Sequence, residues 1–366
     1  MKITDIQVYP VKGRHWPRFP MVFVEVRTDS GVTGIGECLL YHTTGVIESL
    51  RWITEALLGQ DPLRIEYHWE RLFRRGVNMA ALSGIETALW DIAGKVCGQP
   101  VYNLLGGRCR ERIRVYVDGF FRGAEYVEEQ YQAKAIAAVE QGFTALKMDV
   151  DEPIPAAQRF NRQLTETDLR HCVRMVEAVR EAVGPEIDLA IDCHGAFDVA
   201  SAVRLGRALE PYRLMWIEDP VPSTNTAAMA KVTQEVATPI CTGELLCTRY
   251  EFRELFEKQA ADIIMPDLAR TGGILEMKKI AAAADTYYIP VAPHNMVGPV
   301  ATIASAHLCA CIPNFLVLEF QMGDVPWRDE LISRPVLIAD GHLELFDAPG
   351  LGIELNHAAV EKYRAE

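Results

Sequence analysis

The sequence is short of basic residues. Its 366 residues contain 37 Lys and Arg against 50 Asp and Glu, which gives a formal net charge of −13 at pH 7. Nucleic-acid-binding domains usually carry a basic face, so this balance speaks against a nucleic-acid partner. It does not exclude a small anionic substrate, because the local charge in a pocket can oppose the net charge.

Long apolar runs and cysteine motifs are also missing. The longest apolar run, 300–312, is interrupted by His307 and is too short to span a bilayer, and the first residues lack the apolar segment of a signal peptide. The nine cysteines form no Cys-x-x-Cys pair, which argues against a zinc ribbon or a thioredoxin-type motif. We therefore expect a cytoplasmic protein without a membrane partner. Several cysteines lie in apolar stretches and are expected to be buried free thiols of a reducing compartment: Cys172, Cys193, Cys241, Cys309 and Cys311.

The remaining composition, 49% hydrophobic and 24% charged, is that of a globular protein with a large core. Up to about residue 40 the chain alternates like strands, with a hairpin turn at 28–31. Helical periodicity follows, and Ser83 and Glu86 have the spacing of a capping box, which predicts a helix that begins there and ends at Gly98. Residues 1–112 are thus predicted to form a first domain of α+β type.

The loop 12–17 lies between the first two predicted strands. Its residues, Trp16 among them, are suited to contact a substrate. A solvated basic loop without such a role explains the same residues equally well.

Beyond residue 112 the pattern changes to apolar strands that alternate with amphipathic helices. Eight units at intervals of about 25 residues are the pattern of a (β/α)8-type barrel, predicted for residues 113–325. The long gap 150–167 is expected to be an inserted loop over the barrel mouth. The C-terminal segment 326–366 is too short for a domain and is expected to pack back on the N-terminal one.

Titratable residues end nearly every predicted strand. The carboxyl ends of barrel strands converge on one face, where catalytic residues of such enzymes gather. Any single strand-end acid is more often a cap, but the recurrence in register with the apolar runs favours a site. The strand-end residues are Lys147, Asp149, Asp192, His194, Glu218, Glu244, Asp267, His294 and Glu319.

Three of these residues are predicted to bind a metal ion. Asp192, Glu218 and Glu244 end three successive strands with a spacing of 26 residues, so their carboxylates would crowd one corner of the barrel. Like charges that close need a cation to stay ionised, and oxygen ligands favour Mg2+ before Mn2+ or Ca2+. The alternative is a belt of salt bridges, although few basic residues lie at matching positions.

The neighbouring strand ends predict proton transfer. Asp267 and His294 end the next two strands, and an imidazole oriented by a carboxylate suits a general base. Glu319 could stabilise an oxyanion if it is protonated, and Lys147 could bind a substrate carboxylate. His194 follows Asp192 by two residues, so both side chains are expected on one face of the strand, where His194 could protonate a leaving hydroxyl. For either histidine, a plain loop residue is the alternative.

Taken together, these residues resemble the enolase superfamily, in particular its mandelate racemase group and the acid-sugar dehydratases of the galactonate dehydratase kind. The resemblance covers nearly the whole chain. Its motifs are 81–95 with 104–106, Asp192-Cys193-His194-Gly195, Ile217-Glu218-Asp219-Pro220, Gly243-Glu244, Pro266-Asp267-Leu268 with Gly272-Gly273-Ile274, Ala292-Pro293-His294 and Gly350-Leu351-Gly352.

The resemblance implies a (β/α)7β barrel with a capping domain completed by the C-terminal tail, and one Mg2+ per active site on Asp192, Glu218 and Glu244. His294, supported by Asp267, would remove the α-proton of a sugar acid. His194 would then expel the β-hydroxyl and Glu319 would stabilise the enediolate, so that a 2-keto-3-deoxy acid forms. Relatives of this kind are commonly homo-oligomers, and we expect one here.

One position departs from the racemases of this group. They carry Lys-x-Lys on the second barrel strand, where this chain has Lys147-Met148-Asp149. The missing second lysine disfavours racemisation, and Asp149 is predicted to contact the substrate and to affect which sugar acid is used. A racemase or epimerase of a 2-hydroxy acid and a non-catalytic protein that binds a metal or ligand remain the alternatives.

Overall fold

The computed structural model describes residues 1–13, 20–40, 44–151 and 160–365. Trp16, predicted to contact the substrate, and residues 152–159 of the predicted insertion at 150–167 lie outside these ranges. The described residues fold into an α+β unit, a barrel and a C-terminal segment that contacts both.

The capping domain begins with a three-stranded antiparallel sheet in the order β1-β2-β3. The middle strand is buried over nearly its whole length, because both of its faces are covered. Val22, Val24 and Val26 pack with the helices of this domain, and Phe23 packs into the core that contains the barrel. The turn at 28–31 is a hairpin as predicted, with Gly31 in the left-handed region. The elements are β1 (Ile3–Val11), β2 (Met21–Thr28), β3 (Thr33–Cys38), α1 (Val46–Leu57), α2 (Ile65–Phe73), α3 (Met79–Cys97) and α4 (Val101–Leu104).

The prediction for the start of the long helix α3 is wrong. The helix begins at Met79, and the Oδ1 atom of Asn78 accepts hydrogen bonds from the amides of Ala80 and Ala81 at 2.9 and 3.2 Å. Ser83 and Glu86 therefore lie inside the helix and do not cap it. An asparagine is as good an N-cap as a serine, and its position one turn earlier makes the Ser83 pair available for other partners.

The barrel follows as a parallel sheet in the order β4 to β9, and β10 pairs with β4 to close it. The seventh strand position is reduced to bridges that Val291 makes with Ile264 and Phe315. The strands are β4 (Arg112–Asp118), β5 (Ala145–Asp149), β6 (Asp188–Asp192), β7 (Ile217–Glu218), β8 (Ile240–Thr242), β9 (Ile263–Ile264) and β10 (Leu318–Gln321). The helices are α5 (Glu128–Glu140), α6 (Glu166–Val183), α7 (Val199–Leu209), α8 (Thr226–Glu235), α9 (Thr248–Lys258), α10 (Leu268–Thr271), α11 (Ile274–Asp285) and α12 (Pro299–Cys311).

The observed architecture agrees with the predicted (β/α)7β barrel and capping domain. Helices lie between the eight successive strand positions. The last of these strands, β10, pairs directly with β4 and so closes the ring. The barrel interior is filled by side chains that include Tyr116 and Trp216, both fully buried. It is thus a packed core with its polar residues at one rim.

The C-terminal segment divides its contacts between the two parts. A hairpin of β11 (Ile338–Ala339) and β12 (His342–Glu344) pairs antiparallel with the first half of β4, so it extends the barrel sheet. The last helix, α13 (His357–Lys362), leads to Ala365, whose amide donates to the carbonyl of Pro10 in β1 at 2.8 Å. The tail thus returns to the capping domain, as predicted, only after it has added to the barrel.

Two expectations about general properties can be compared with the structure. All nine cysteines are free, and the five that were expected to be buried are buried. Within the described ranges, the helices are too short or too polar to cross a bilayer.

Candidate active site

The predicted metal ligands meet at the carboxyl ends of neighbouring barrel strands. Asp192 and Glu218 are register partners at the ends of β6 and β7, and Glu244 follows β8 by two residues. Each residue offers an oxygen, and these oxygens lie within 4.8 Å of one another. All three side chains are buried. Three buried oxygen donors at this separation fit a hard divalent ion.

The electrostatics of the corner also favour a cation. Burial, followed by repulsion from Asp192, raises the pKa of Glu218 well above its usual value. Burial likewise raises the pKa of Glu244. Although burial acts in the same direction on Asp192, His194 and Lys147 lower its pKa to about 2. Each of the three carboxylates has a basic group within 4.0 Å, but only Asp192 contacts two of them, Lys147 and His194, and only its pKa is lowered.

Carboxylates outnumber the basic groups that they contact. Lys147, His194 and His294 together make ion-pair contacts within 4.0 Å to six carboxylates: Asp151, Asp192, Glu218, Glu244, Asp267 and Glu319. Three positive charges leave a deficit even when both histidines are protonated. This deficit distinguishes the cluster from a balanced belt of salt bridges and fits a divalent ion.

Lys147 is the basic residue nearest to the centre of the cluster. Its Nζ atom lies 2.7 Å from Glu218 Oε1, 3.1 Å from Glu319 Oε1 and 3.5 Å from Asp192 Oδ2. The side chain comes from β5 and is 2% exposed. Burial opposes its charge, but Glu218 and Glu319 raise the pKa of Lys147 well above its usual value. A permanent cation therefore lies between two of the predicted metal ligands and Glu319, where it could also attract a substrate carboxylate.

His294 and Asp267 form the predicted pair. His294 Nδ1 lies 2.6 Å from Asp267 Oδ2, and Asp267 Oδ1 accepts a hydrogen bond from the amide of Ala269 at 2.8 Å. This carboxylate holds the proton of the ring on Nδ1, so Nε2 points to Glu244 Oε2 at 3.3 Å. Although burial acts against it, Glu319, Glu244 and Asp267 raise the pKa of His294 to about 10.

His194 lies beside Asp192, but for a different reason than predicted. The strand β6 ends at Asp192, and His194 adopts a left-handed backbone with a φ of 46° in the following turn. Its amide donates to Asp192 Oδ1 at 2.8 Å, and its Nε2 lies 3.5 Å from Asp192 Oδ2. A non-glycine residue held in this region is uncommon and occurs often at functional sites.

Asp151 is a site residue that the sequence reasoning missed. It is 2% exposed, and its Oδ1 lies 2.9 Å from His194 Nδ1, the relation that Asp267 has to His294. Asp192, with help from Asp151, raises the pKa of His194 far above its usual value. Lys147, Asp149 and Asp151 alternate along the chain, and this period of two was the available signal.

Asp149 and Glu319 occupy the edges of the cluster. Asp149 pairs in register with Asp192, and one carboxylate oxygen of each residue lies within 4.8 Å of a ring nitrogen of His194. Burial and the nearby Asp118 raise the pKa of Asp149 well above its usual value. Glu319 Oε2 accepts from the amide of Asn295 at 2.6 Å. Although burial opposes this, Lys147 and His294 lower the pKa of Glu319, so its neighbours favour the ionised form.

A recess opens between the capping domain and the end of β10. Glu37, Arg122, Gln321 and Asp324 provide its polar lining. Gln321 Nε2 also donates to Glu319 Oε1 at 3.2 Å, which links the recess to the site. Its apolar and backbone lining comes from Gly13, Pro20, Met21, Cys38, Leu39, Leu40, Met296, Val297 and Gly298.

The chain matches two family models that together cover most of its length. Residues 130–359 match the enolase C-terminal domain-like family, and residues 15–106 match the N-terminal domain of mandelate racemase and muconate lactonizing enzyme. The chain is 41% identical to D-xylonate dehydratase from Haloferax volcanii, over 100% of this chain and 89% of that protein. It is 33% identical to D-galactonate dehydratase from Pectobacterium atrosepticum, over 98% of this chain and 94% of that protein.

Solved structures agree with these matches. A mandelate racemase/muconate lactonizing enzyme-like protein from Rubrobacter xylanophilus superimposes with a TM-score of 0.91 at 41% identity, over 100% of this chain and 98% of that one. A member of the enolase superfamily from Salmonella Typhimurium gives a TM-score of 0.91 at 32% identity, over 99% and 98% of the two chains. The resemblance inferred from the motifs is confirmed: the chain belongs to the enolase superfamily, with the domain organisation of its mandelate racemase and muconate lactonizing enzyme group.

Proposed function

We propose that this protein is a Mg2+-dependent hydro-lyase that dehydrates a sugar acid, an aldonate or an aldarate, to a 2-keto-3-deoxy acid. One observation carries the proposal: two histidines, each held at Nδ1 by a buried carboxylate, direct their Nε2 atoms toward two different carboxylates of the predicted metal site. His294 Nε2 lies 3.3 Å from Glu244, and His194 Nε2 lies 3.5 Å from Asp192. A dehydratase needs one group that removes a proton and another that delivers one.

Asp192, Glu218 and Glu244 would hold the Mg2+. Their donor atoms are all oxygens, which suits this ion, and their charge is only partly balanced by basic neighbours. When bound, the ion would stabilise the charge that develops on the substrate carboxylate as the α-proton leaves. Lys147 would assist by attracting the same carboxylate, since its Nζ atom lies between Glu218 and Glu319.

His294 would remove the α-proton through Nε2. Its Nδ1 proton is engaged by Asp267 at 2.6 Å, so the ring orientation is set before substrate binds. The carboxylates around His294 raise its pKa, and neutralisation of Glu244 by a bound cation would lower that pKa toward the range of a working base. The electron pair of the broken C2–H bond then forms the enediolate.

His194 would complete the elimination. The electron pair of the enediolate forms the C2–C3 double bond while the C3–O bond breaks, and the departing hydroxyl takes the Nε2 proton and leaves as water. Asp192 and Asp151 raise the pKa of this histidine, and Asp151, which is not among the proposed metal ligands, would go on favouring the protonated form that an acid needs. The enol product then tautomerises to the 2-keto form. Glu319 would contact the intermediate, and as a donor to the oxyanion it would have to carry a proton.

The names of the relatives support the same reaction class, because those described above act on D-xylonate and D-galactonate as dehydratases. The pairing of Lys147 with Asp149 in place of a second lysine also favours dehydration over racemisation. The recess between the capping domain and the end of β10, together with the neighbouring loops, would decide which sugar acid is used.

The test is a screen of aldonic and aldaric acids with Mg2+, in which semicarbazide detects 2-keto products. We expect at least one acid to give such a product, and His194→Asn to lose turnover while exchange of the C2 proton for deuterium continues. His171→Asn, on the outer helix α6, is the matched control and should retain turnover. Exchange at C2 without any keto product from the wild type would contradict dehydration and indicate an epimerase. Neither exchange nor product from any acid would indicate a binding protein.

A further inference from the structure

Buried polar side chains of the long helix α3, in the capping domain, accept hydrogen bonds from the barrel. Glu86 is 1% exposed, and its carboxylate accepts hydrogen bonds from the amides of Ile274 at 2.7 Å and Leu275 at 3.0 Å. These are the first residues of α11, whose free amides need acceptors. Ser83, one turn earlier on α3, accepts from the amide of Gly272 at 2.9 Å. Glu86 therefore caps a helix of the other domain, and Ser83 holds the turn that precedes this helix.

The segment held in this way begins at Asp267. Only α10 and the pair Gly272-Gly273 separate Asp267 from α11. Both glycines have positive φ, and a Cβ atom on Gly273 would overlap Oε2 of Glu86. The carboxylate of Glu86 thus fills the space that a side chain at position 273 would take. The turn packs directly against this carboxylate because a glycine stands there. Movement of Glu86 would be passed along a short, tightly bonded segment to Asp267.

A second carboxylate of the capping domain accepts hydrogen bonds from the segment that follows His294. Glu37, at 2% exposure on β3, accepts from the amides of Gly298 and of Ala301, the latter at 2.9 Å. These amides belong to the start of α12, four residues beyond His294. Glu37 also lines the recess between the domains.

We propose that Glu86 and Glu37 are positioning residues for the pair His294–Asp267. They pin the two segments that follow these residues to the capping domain, so the 2.6 Å contact between His294 Nδ1 and Asp267 Oδ2 depends on how the domains are docked. The catalytic consequence rests on the proposed function, in which His294 is the base. The geometric consequence does not, because it concerns a hydrogen bond between two side chains of the protein itself.

Asp91 provides a matched control in the same helix. It is fully buried and accepts from the amides of Ile35 at 3.0 Å and Leu351 at 2.8 Å, so it also joins α3 to another segment. Neither of those amides lies between Asp267 and α11 or between His294 and α12. Asp91→Asn should therefore destabilise the protein without disturbing the pair.

The experiment compares Glu86→Gln, Glu37→Gln and Asp91→Asn in the full chain. The first readout is the downfield proton resonance of His294 Nδ1, assigned by its loss in Asp267→Asn. The second is kcat, KM and the isotope effect with C2-deuterated sugar acid. A displacement on the order of 1 Å at a reacting group can lower the rate by about a hundredfold. We expect the two Gln variants to lose or broaden the resonance and to lower kcat by about tenfold to a hundredfold, with a larger isotope effect and a nearly unchanged KM.

Asp91→Asn should keep the wild-type resonance and isotope effect, even if it lowers the thermal stability as much as the two Gln variants do. If all three variants lose activity only in proportion to their stability, or if the Gln variants keep the wild-type resonance, the positioning role is refuted. If the wild type dehydrates no sugar acid, the proposed function fails, and the resonance still decides the positioning. If Glu86→Gln does not fold, Ser83→Ala removes one acceptor from the same turn and should weaken the resonance in the same direction.

Discussion

Acid should destabilise this protein through a histidine that lies outside the site. His307 in α12 has 0% exposure, and its two ring nitrogens have different partners. The amide of Tyr102 donates to Nδ1 at 3.3 Å, and Nε2 lies 3.2 Å from the carbonyl of Leu351. Nδ1 must be an acceptor and Nε2 the donor, so the ring is neutral and links α4, α12 and the C-terminal segment. Protonation of Nδ1 would break the first of these bonds.

The magnitude follows from the pKa. Burial lowers the pKa of His307 to about 4, against about 6.5 in the unfolded chain. Below the unfolded value the unfolded state binds a proton that the folded state refuses, so stability rises with pH across this window and is lost as pH falls through it. A difference of about 2.5 pH units corresponds to roughly 3 kcal/mol, at a slope of at most about 1.4 kcal/mol per pH unit.

Urea unfolding of the wild type and of His307→Gln between about pH 7.5 and pH 4 measures this contribution. Glutamine can accept from Tyr102 and donate to Leu351 without titrating, so the other pH-dependent groups cancel in the difference. We expect the wild type to lose about 3 kcal/mol relative to the variant over this range. Parallel curves would refute the reasoning. His171→Gln, on the surface helix α6, controls for the replacement of a histidine as such.

Three further predictions concern the site. His294→Asn should lower kcat by about a hundredfold or more, as expected for loss of a general base, while calorimetric Mg2+ binding persists; loss of binding would instead place the residue among the ligands. Exhaustive chelation should abolish turnover and lower the melting temperature, because Asp192, Glu218 and Glu244 then repel one another, with the far-UV circular dichroism unchanged; turnover that survives chelation would refute the metal assignment. Asp149→Asn should change the ranking of kcat/KM among epimeric sugar acids without loss of Mg2+ binding, and an unchanged ranking would show that Asp149 does not contact the sugar.

Much of the fold and of the site could be predicted from local pattern. Apolar runs that end in acids at regular intervals predict strands whose ends converge, and this places Asp192, Glu218 and Glu244 together without any knowledge of distances. The pair His294 and Asp267 follows from the same argument, because each residue ends a neighbouring strand position. Asp151 could have been found from its alternation with Lys147, but a strand that ends at Asp149 conceals it.

Other features depended on contacts between distant segments. The spacing of Ser83 and Glu86 has the form of a capping box, yet Asn78 caps the helix. Glu86 instead caps α11, 188 residues further along the chain, and Ser83 holds the turn before it. The side chain of Lys147 is predicted from the sequence to bind substrate; its position between the carboxylates of Glu218 and Glu319 is visible only in the structure.

The sequence alone therefore determined which titratable residues end the barrel strands and meet at one rim, because strand period and β/α alternation are local properties of the chain. Tertiary structure alone decided which partner each polar group takes, because a buried donor or acceptor is satisfied by whatever packing brings near it. That choice distinguishes Glu86 as an interdomain cap from Glu218 as a predicted metal ligand, although both are buried glutamates.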